Sequence, residues 1–206
     1  DAWWEESIAS GAVAAGLDAF DVLRIESGIP WHGRDVSAET LADKVKRGHH
    51  RMHCDFAFFV GATVDNTKHL PELERLPGCA GIKVFMGSST GSLLVADDAG
   101  LRGVLQKIRR RASFHAEDEP RLNERKNLRV EGGSRSHPVW RDEVAALKAT
   151  QRLVTIAHET SARVHVLHIS TADEMDYLAG HKDVASVETT PHHLTLEAPG
   201  CYERLG

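Results

Sequence analysis

Lys83 lies inside the apolar run Gly81-Ile82-Lys83-Val84-Phe85-Met86, where an unpaired ammonium would be costly. Burial lowers a lysine's pKa, and the neutral amine can form a Schiff base or take up carbon dioxide as a carbamate, an anionic ligand with two oxygens. An ion-paired structural lysine is the plainer alternative. His115 closes the run Ala112-Ser113-Phe114-His115 and is followed by Ala116-Glu117-Asp118-Glu119. His168 stands in Val166-Leu167-His168-Ile169-Ser170-Thr171. Either histidine alone reads equally well as a ligand or as a structural residue. A lysine and two histidines on three successive strand ends is much harder to dismiss. Strand alternation puts His168 on the face of Val166 and turns His165 the other way.

Other residues carry weaker signals. Gly87-Ser88-Ser89-Thr90-Gly91 follows the lysine run and offers small hydroxyls with a backbone able to approach a ligand, or a plain turn. His192 and His193 follow the last strand candidate and divide between shaping a pocket and packing. Ser88, Ser89, Thr90, His192 and His193 are therefore the substrate-binding candidates. His50, His53 and Cys54 fall at a helix-to-strand junction and read as surface residues, as does His158 within a predicted helix.

The elements that position these groups are short apolar runs separated by amphipathic segments, the pattern of β/α units around a parallel sheet. Strands are expected at Cys54 to Ala62, Gly81 to Met86, Ala112 to His115, Arg163 to Ser170 and Val184 to Thr189. Helices are expected at Ala38 to Arg47, Gly100 to Arg110, Trp140 to Thr160 and Ala172 to Ala179. Such a pattern fits a TIM barrel or a doubly wound sheet. The barrel is favoured because no GxGxxG or GxxxxGK[ST] phosphate cradle occurs and because the unusual polar residues gather at the C-terminal ends of strands. Pro120 to His137 reads as an extended polar loop, either solvated or a substrate lid.

The chain has 206 residues, 41% of them hydrophobic and 27% charged, with a formal net charge of -5, so a single domain with one core is the default and no general attraction to nucleic acid or an anionic membrane follows. A small-molecule partner is more natural. No apolar stretch is long enough for a membrane span, and the acidic first residues do not suit a secretory signal, so a cytoplasmic protein is expected. Its three widely spaced cysteines predict reduced thiols rather than a disulfide framework.

At these motifs the chain resembles the dihydroorotases, cyclic amidohydrolases of the amidohydrolase superfamily. Gly81 to Gly91 resembles the family's fourth-strand segment, whose lysine is carboxylated and bridges two zinc ions. Phe114-His115-Ala116-Glu117-Asp118-Glu119 resembles the fifth-strand segment and His165 to Thr171 the sixth, each giving one metal-binding histidine. Glu188-Thr189-Thr190-Pro191-His192-His193-Leu194 resembles the seventh. The resemblance implies a partial (β/α)8 TIM barrel with about strands 3 to 7 recognisable, two Zn2+ bridged by N6-carboxylated Lys83, and zinc-dependent reversible hydrolysis of dihydroorotate to carbamoyl aspartate in pyrimidine biosynthesis.

There are departures. No His-x-His occurs in the chain, whereas the family's first strand supplies one. The acid/base aspartate of the eighth strand is expected beyond Gly206, so no catalytic acid/base is identified. Residues 16 to 36 match nothing in the second-strand segment and are expected to fit a barrel poorly. The reading is thus of one barrel domain over residues 1 to 206, truncated at both ends, and inactive by itself. Rival readings are a hydantoinase or allantoinase, and a non-catalytic dihydroorotase-like subunit, which the missing His-x-His favours. Assembly is left open between a homo-oligomer and a partner subunit of pyrimidine synthesis.

Overall fold

Four acidic or hydroxyl side chains start helices at the ends of strand-exit segments. Asp97 accepts from the Gly100 amide at 2.8 Å, Asp118 from Arg121 at 3.3 Å, Asp142 from Ala145 at 3.1 Å and Thr171 from Glu174 at 3.3 Å. Each cap satisfies an amide that would otherwise lack a partner and fixes where the chain turns back along the sheet.

The computed structural model describes residues 38–89 and 93–205. Its elements are α1 (Ala38–Gly48), β1 (Phe58–Gly61), α2 (Leu70–Leu73), β2 (Cys79–Phe85), α3 (Asp98–Lys107), β3 (Ala112–His115), α4 (Glu119–Arg125), α5 (His137–Trp140), α6 (Glu143–Thr160), β4 (Val164–Val166), α7 (Ala172–Ala179), β5 (Ala185–Val187), α8 (Pro191–Thr195) and α9 (Gly200–Leu205). The atypical segment 16 to 36 and candidate Thr90 lie outside the described residues.

All four strand pairings are parallel, and the order is β1-β2-β3-β4-β5. A doubly wound sheet reverses its strand order, whereas a barrel adds each strand beside the last. The strand order is that of a partial (β/α)8 barrel. Register divides the sheet into two faces. Gly61, Lys83, Ser113, His165 and Ser186 lie abreast on one. Val84, Phe114, Val166 and Val187 lie abreast on the other. Val84, Phe114 and Val166 of this second face, with Ile82, Ala112 and Val164, form one buried cluster with Leu101, Val104 and Leu105 of α3, Leu153 and Ile156 of α6 and Leu178 of α7, whereas Val187 on β5 is exposed. Apolar residues thus face the helices, and the polar row faces the barrel interior.

Two expectations are corrected. Pro120 to His137 is not an extended loop: it contains most of α4, two 3-10 turns and the start of α5. Asp118 at the cap, Glu119 in the first turn and Pro120 beside it are helix-start signals that the polar composition obscured. Three strands, β1, β4 and β5, are also shorter than the apolar runs, β4 covering Val164–Val166 rather than Arg163 to Ser170. His50, His53 and Cys54 are exposed, as expected.

Phe114 is fully buried on the helix-facing side of the central strand. Phe114→Ala should cost about 3–5 kcal/mol through lost burial and a residual cavity, measurable as a lowered denaturant midpoint with an unchanged m-value.

Candidate metal centre

Parallel pairing sets Phe85 beside His115 and Lys83 beside Ser113, so Lys83 sits two residues deeper than the histidine level on the same inward face. Its ammonium lies 4.6 Å from the centroid of the Phe85 ring. Burial pushes the Lys83 pKa down to about 7, partly opposed by the carboxylate of Glu188. A large share of the amine is therefore neutral at neutral pH, the form whose lone pair can attack carbon dioxide.

His115 ends β3, and its ring stands edge-on to that of His168, centroids 5.0 Å apart. Nδ1 of His115 faces Nε2 of His168 at 3.0 Å. On the opposite side of the His115 ring, Nε2 lies 2.7 Å from Glu117 Oε2. That nitrogen is buried and meets no acceptor at hydrogen-bonding angles, so the contact with Glu117 is a close electrostatic pairing rather than an aligned bond. Burial, followed by the charges of His115 and Lys83, lowers the His168 pKa to about 4. His168 is therefore neutral in the physiological range, as a ligating imidazole must be.

His168 reaches this position in an unforeseen way. Val166 faces the helices, and continued alternation would carry His168 there too. The strand ends at Val166, and His168 adopts a left-handed backbone with φ 42°, which breaks the alternation and turns its ring toward His115. His165, expected to point away from the site face, instead lies abreast of Lys83 and Ser113. There it contacts Ser186 Oγ at 2.9 Å and Glu188 Oε2 at 3.2 Å.

Glu117 is clamped from both sides. Burial alone would raise its pKa, but the contacts with His115 and Arg141 prevail and hold it down to about 2. Arg141 Nε donates to the two Glu117 oxygens at 3.0 and 3.1 Å, its Nη2 also bonds Oε2, and Nη2 donates to the Ser88 carbonyl at 2.6 Å. Gly87 permits this closeness, since a Cβ there would lie 2.8 Å from both Cβ and O of Glu117.

The substrate-binding candidates divide. Ser88 Oγ donates to Glu119 Oε1 at 2.6 Å. Ser88 and Ser89 line an open cleft of about 470 Å3 together with Lys126, Arg129, Trp140 and Arg141. None of Lys83, His115 and His168 lines this cleft. His192 and His193 both contact Thr190 Oγ1, at 3.1 and 2.9 Å, and their rings are tilted by 59° with centroids 4.2 Å apart. Arg141 and Glu188 were not singled out from sequence; only the position of Glu188 one strand beyond His165 hinted at its contact.

Among the described residues no three His, Cys, Asp or Glu side chains form a metal-holding group. The donors present are two imidazoles and an amine made neutral by burial. Two nitrogens 3.0 Å apart are within the span of two ligands on one ion, given zinc–nitrogen distances of about 2.0–2.1 Å. The residues fit part of a zinc site by their chemistry.

An open run of parallel strands with polar side chains at its C-terminal mouth is the frame that barrel enzymes of many kinds share. The solved structure of L-hydantoinase (dihydropyrimidinase) from Arthrobacter aurescens superposes with a TM-score of 0.74 at 22% identity, over 84% of this chain and 40% of that one. In sequence, the chain is 29% identical to an allantoinase of Deinococcus radiodurans over 98% of its own length and 47% of the relative's. It is 30% identical to a dihydroorotase of Methanosarcina acetivorans over 81% of its length and 38% of that protein's. No protein-family profile matches the chain. The chain spans less than half the length of these relatives. The similarities support kinship with the cyclic amidohydrolases of the amidohydrolase superfamily, without separating dihydroorotases from allantoinases. Among the described residues no helix is long and apolar enough to cross a membrane.

Acid should weaken the metal-free fold in two windows. His168 has a folded pKa near 4 against its ordinary 6.5, so the unfolded chain takes up the proton first and stability declines as pH falls from 6.5 to 4. Glu117, near 2 against 4.5, contributes stability above pH 4.5 that is lost toward pH 2, on the order of 3 kcal/mol. Urea titrations across pH should show both declines, and Glu117→Gln should lack the lower one.

Proposed function

We propose that this chain carries the core of a zinc-dependent cyclic amidohydrolase, with Lys83, His115 and His168 as metal-binding residues. The single observation behind this reading is the pair of facing imidazole nitrogens 3.0 Å apart, with Lys83 two residues deeper on the same face of the neighbouring strand. Lys83, as a carbamate, would provide the bridging oxygens. His115 would bind through Nδ1 and His168 through Nε2, the atoms that face each other. Two divalent ions held there would supply Lewis acidity toward a ring carbonyl and acidify the attacking water. Dihydroorotate is the substrate read from the segment Gly81 to Gly91. Allantoin is a second reading, favoured by the similarity to the Deinococcus radiodurans allantoinase.

Zinc content measured after loading in bicarbonate tests the assignment. Wild type and His158→Ala should hold the same zinc, because the His158 side chain is exposed and pairs loosely with Asp183 at 3.6 Å, whereas Lys83→Ala should lose tight binding. Equal zinc in wild type and Lys83→Ala would overturn the carbamate. A ring-opening panel of dihydroorotate, allantoin and hydantoin then separates the substrates, and any zinc-dependent turnover should vanish in Lys83→Ala.

A further inference from the structure

We propose that Glu117, held in place by Arg141, is a positioning residue that decides which nitrogen of His115 is offered to the metal centre. The proposal rests on reading His115 as a ligand. Glu117 Oε2 stands 2.7 Å from Nε2 of His115, while Nδ1 of the same ring faces His168 at 3.0 Å. A carboxylate beside one imidazole nitrogen favours the tautomer with its proton there and leaves the lone pair on the other. The proton therefore belongs on Nε2, and the lone pair on Nδ1.

For this the carboxylate needs to be fixed and charged. Arg141 satisfies both needs, with two bonds from Nε at 3.0 and 3.1 Å and a further one from Nη2. The guanidinium is fixed in turn, because Nη2 donates to the Ser88 carbonyl at 2.6 Å and its carbon lies 4.8 Å from the centroid of the Trp140 ring. On the backbone side, Glu117 packs against Gly87, where even a methyl group would collide. Nε2 and Oε2 already stand at hydrogen-bonding distance, and only the angle between them separates the contact from a donated bond. An ion pair serving stability alone would not govern where the His115 proton sits.

The 15N shifts of histidines in the labelled, metal-free chain at neutral pH, with His115 assigned by its loss in His115→Ala, report the tautomer directly. Wild type should carry the proton on Nε2, and Glu117→Gln should populate both tautomers. Zinc affinity by chelator competition should fall about 10- to 100-fold in Glu117→Gln and by less in Arg141→Lys, which keeps a cation without the fork. A wild-type proton on Nδ1 would overturn the proposal without any variant having to fold. An unchanged tautomer and zinc affinity in Glu117→Gln, with zinc lost in His115→Ala, would overturn it while leaving the metal centre intact. Equal zinc binding by wild type and His115→Ala would instead remove the ligand reading, and the tautomer would still judge Glu117.

Discussion

The arrangement depends on placing an amine where water is scarce. Lys83 occupies the middle of a parallel sheet, and burial there brings its pKa down to about 7. Such a residue is tolerated only if the surrounding row is small or polar, and Gly61, Ser113, His165 and Ser186 make up that row. The opposite face compensates. Ile82, Val84, Phe114, Val164 and Val166 are each no more than 1% exposed, so the apolar burial of these strands is made against the helices. The interior face is thereby left for chemistry.

Three consecutive carboxylates after β3 do separate work as the strand gives way to a helix. Glu117 turns to His115 and Arg141. Asp118, 2% exposed, caps α4 and receives Arg152 at 2.7 Å and Lys148 at 3.2 Å from α6. Glu119 takes both the amide and the hydroxyl of Ser88. Asp118, the one of the three that is buried, is tolerated because it meets donors on both oxygens. One short segment therefore fastens the β3 mouth to the β2 exit loop and to the longest helix.

Much of this was legible in the chain. The β/α alternation, the five strand positions and the places of Lys83 and His115 follow from apolar periodicity, because strands buried on both faces leave plain hydrophobic runs. The geometry of His168 was not legible, since period-2 reasoning holds only while the backbone stays extended and its left-handed φ lies beyond the strand. The same rule, extended too far along the run, misdirected His165. Arg141 escaped notice because arginine near a helix start looks like ordinary surface charge, and only the fold brings it to Glu117, 24 residues away. Helix α4 was hidden by composition, although Asp118 and Pro120 signalled it.

The left-handed backbone at His168 sets the stability of this fold against its chemistry. For a residue with a Cβ that conformation costs about 1–2 kcal/mol, which glycine avoids and asparagine reduces. Substitution to either would relax the chain, and drift under selection for folding alone runs toward them. The imidazole is kept against that current only while something is gained from it. Among descendants of such a chain, position 168 would be an early place for a lineage that no longer uses the imidazole to record the change, as a gain in thermal stability.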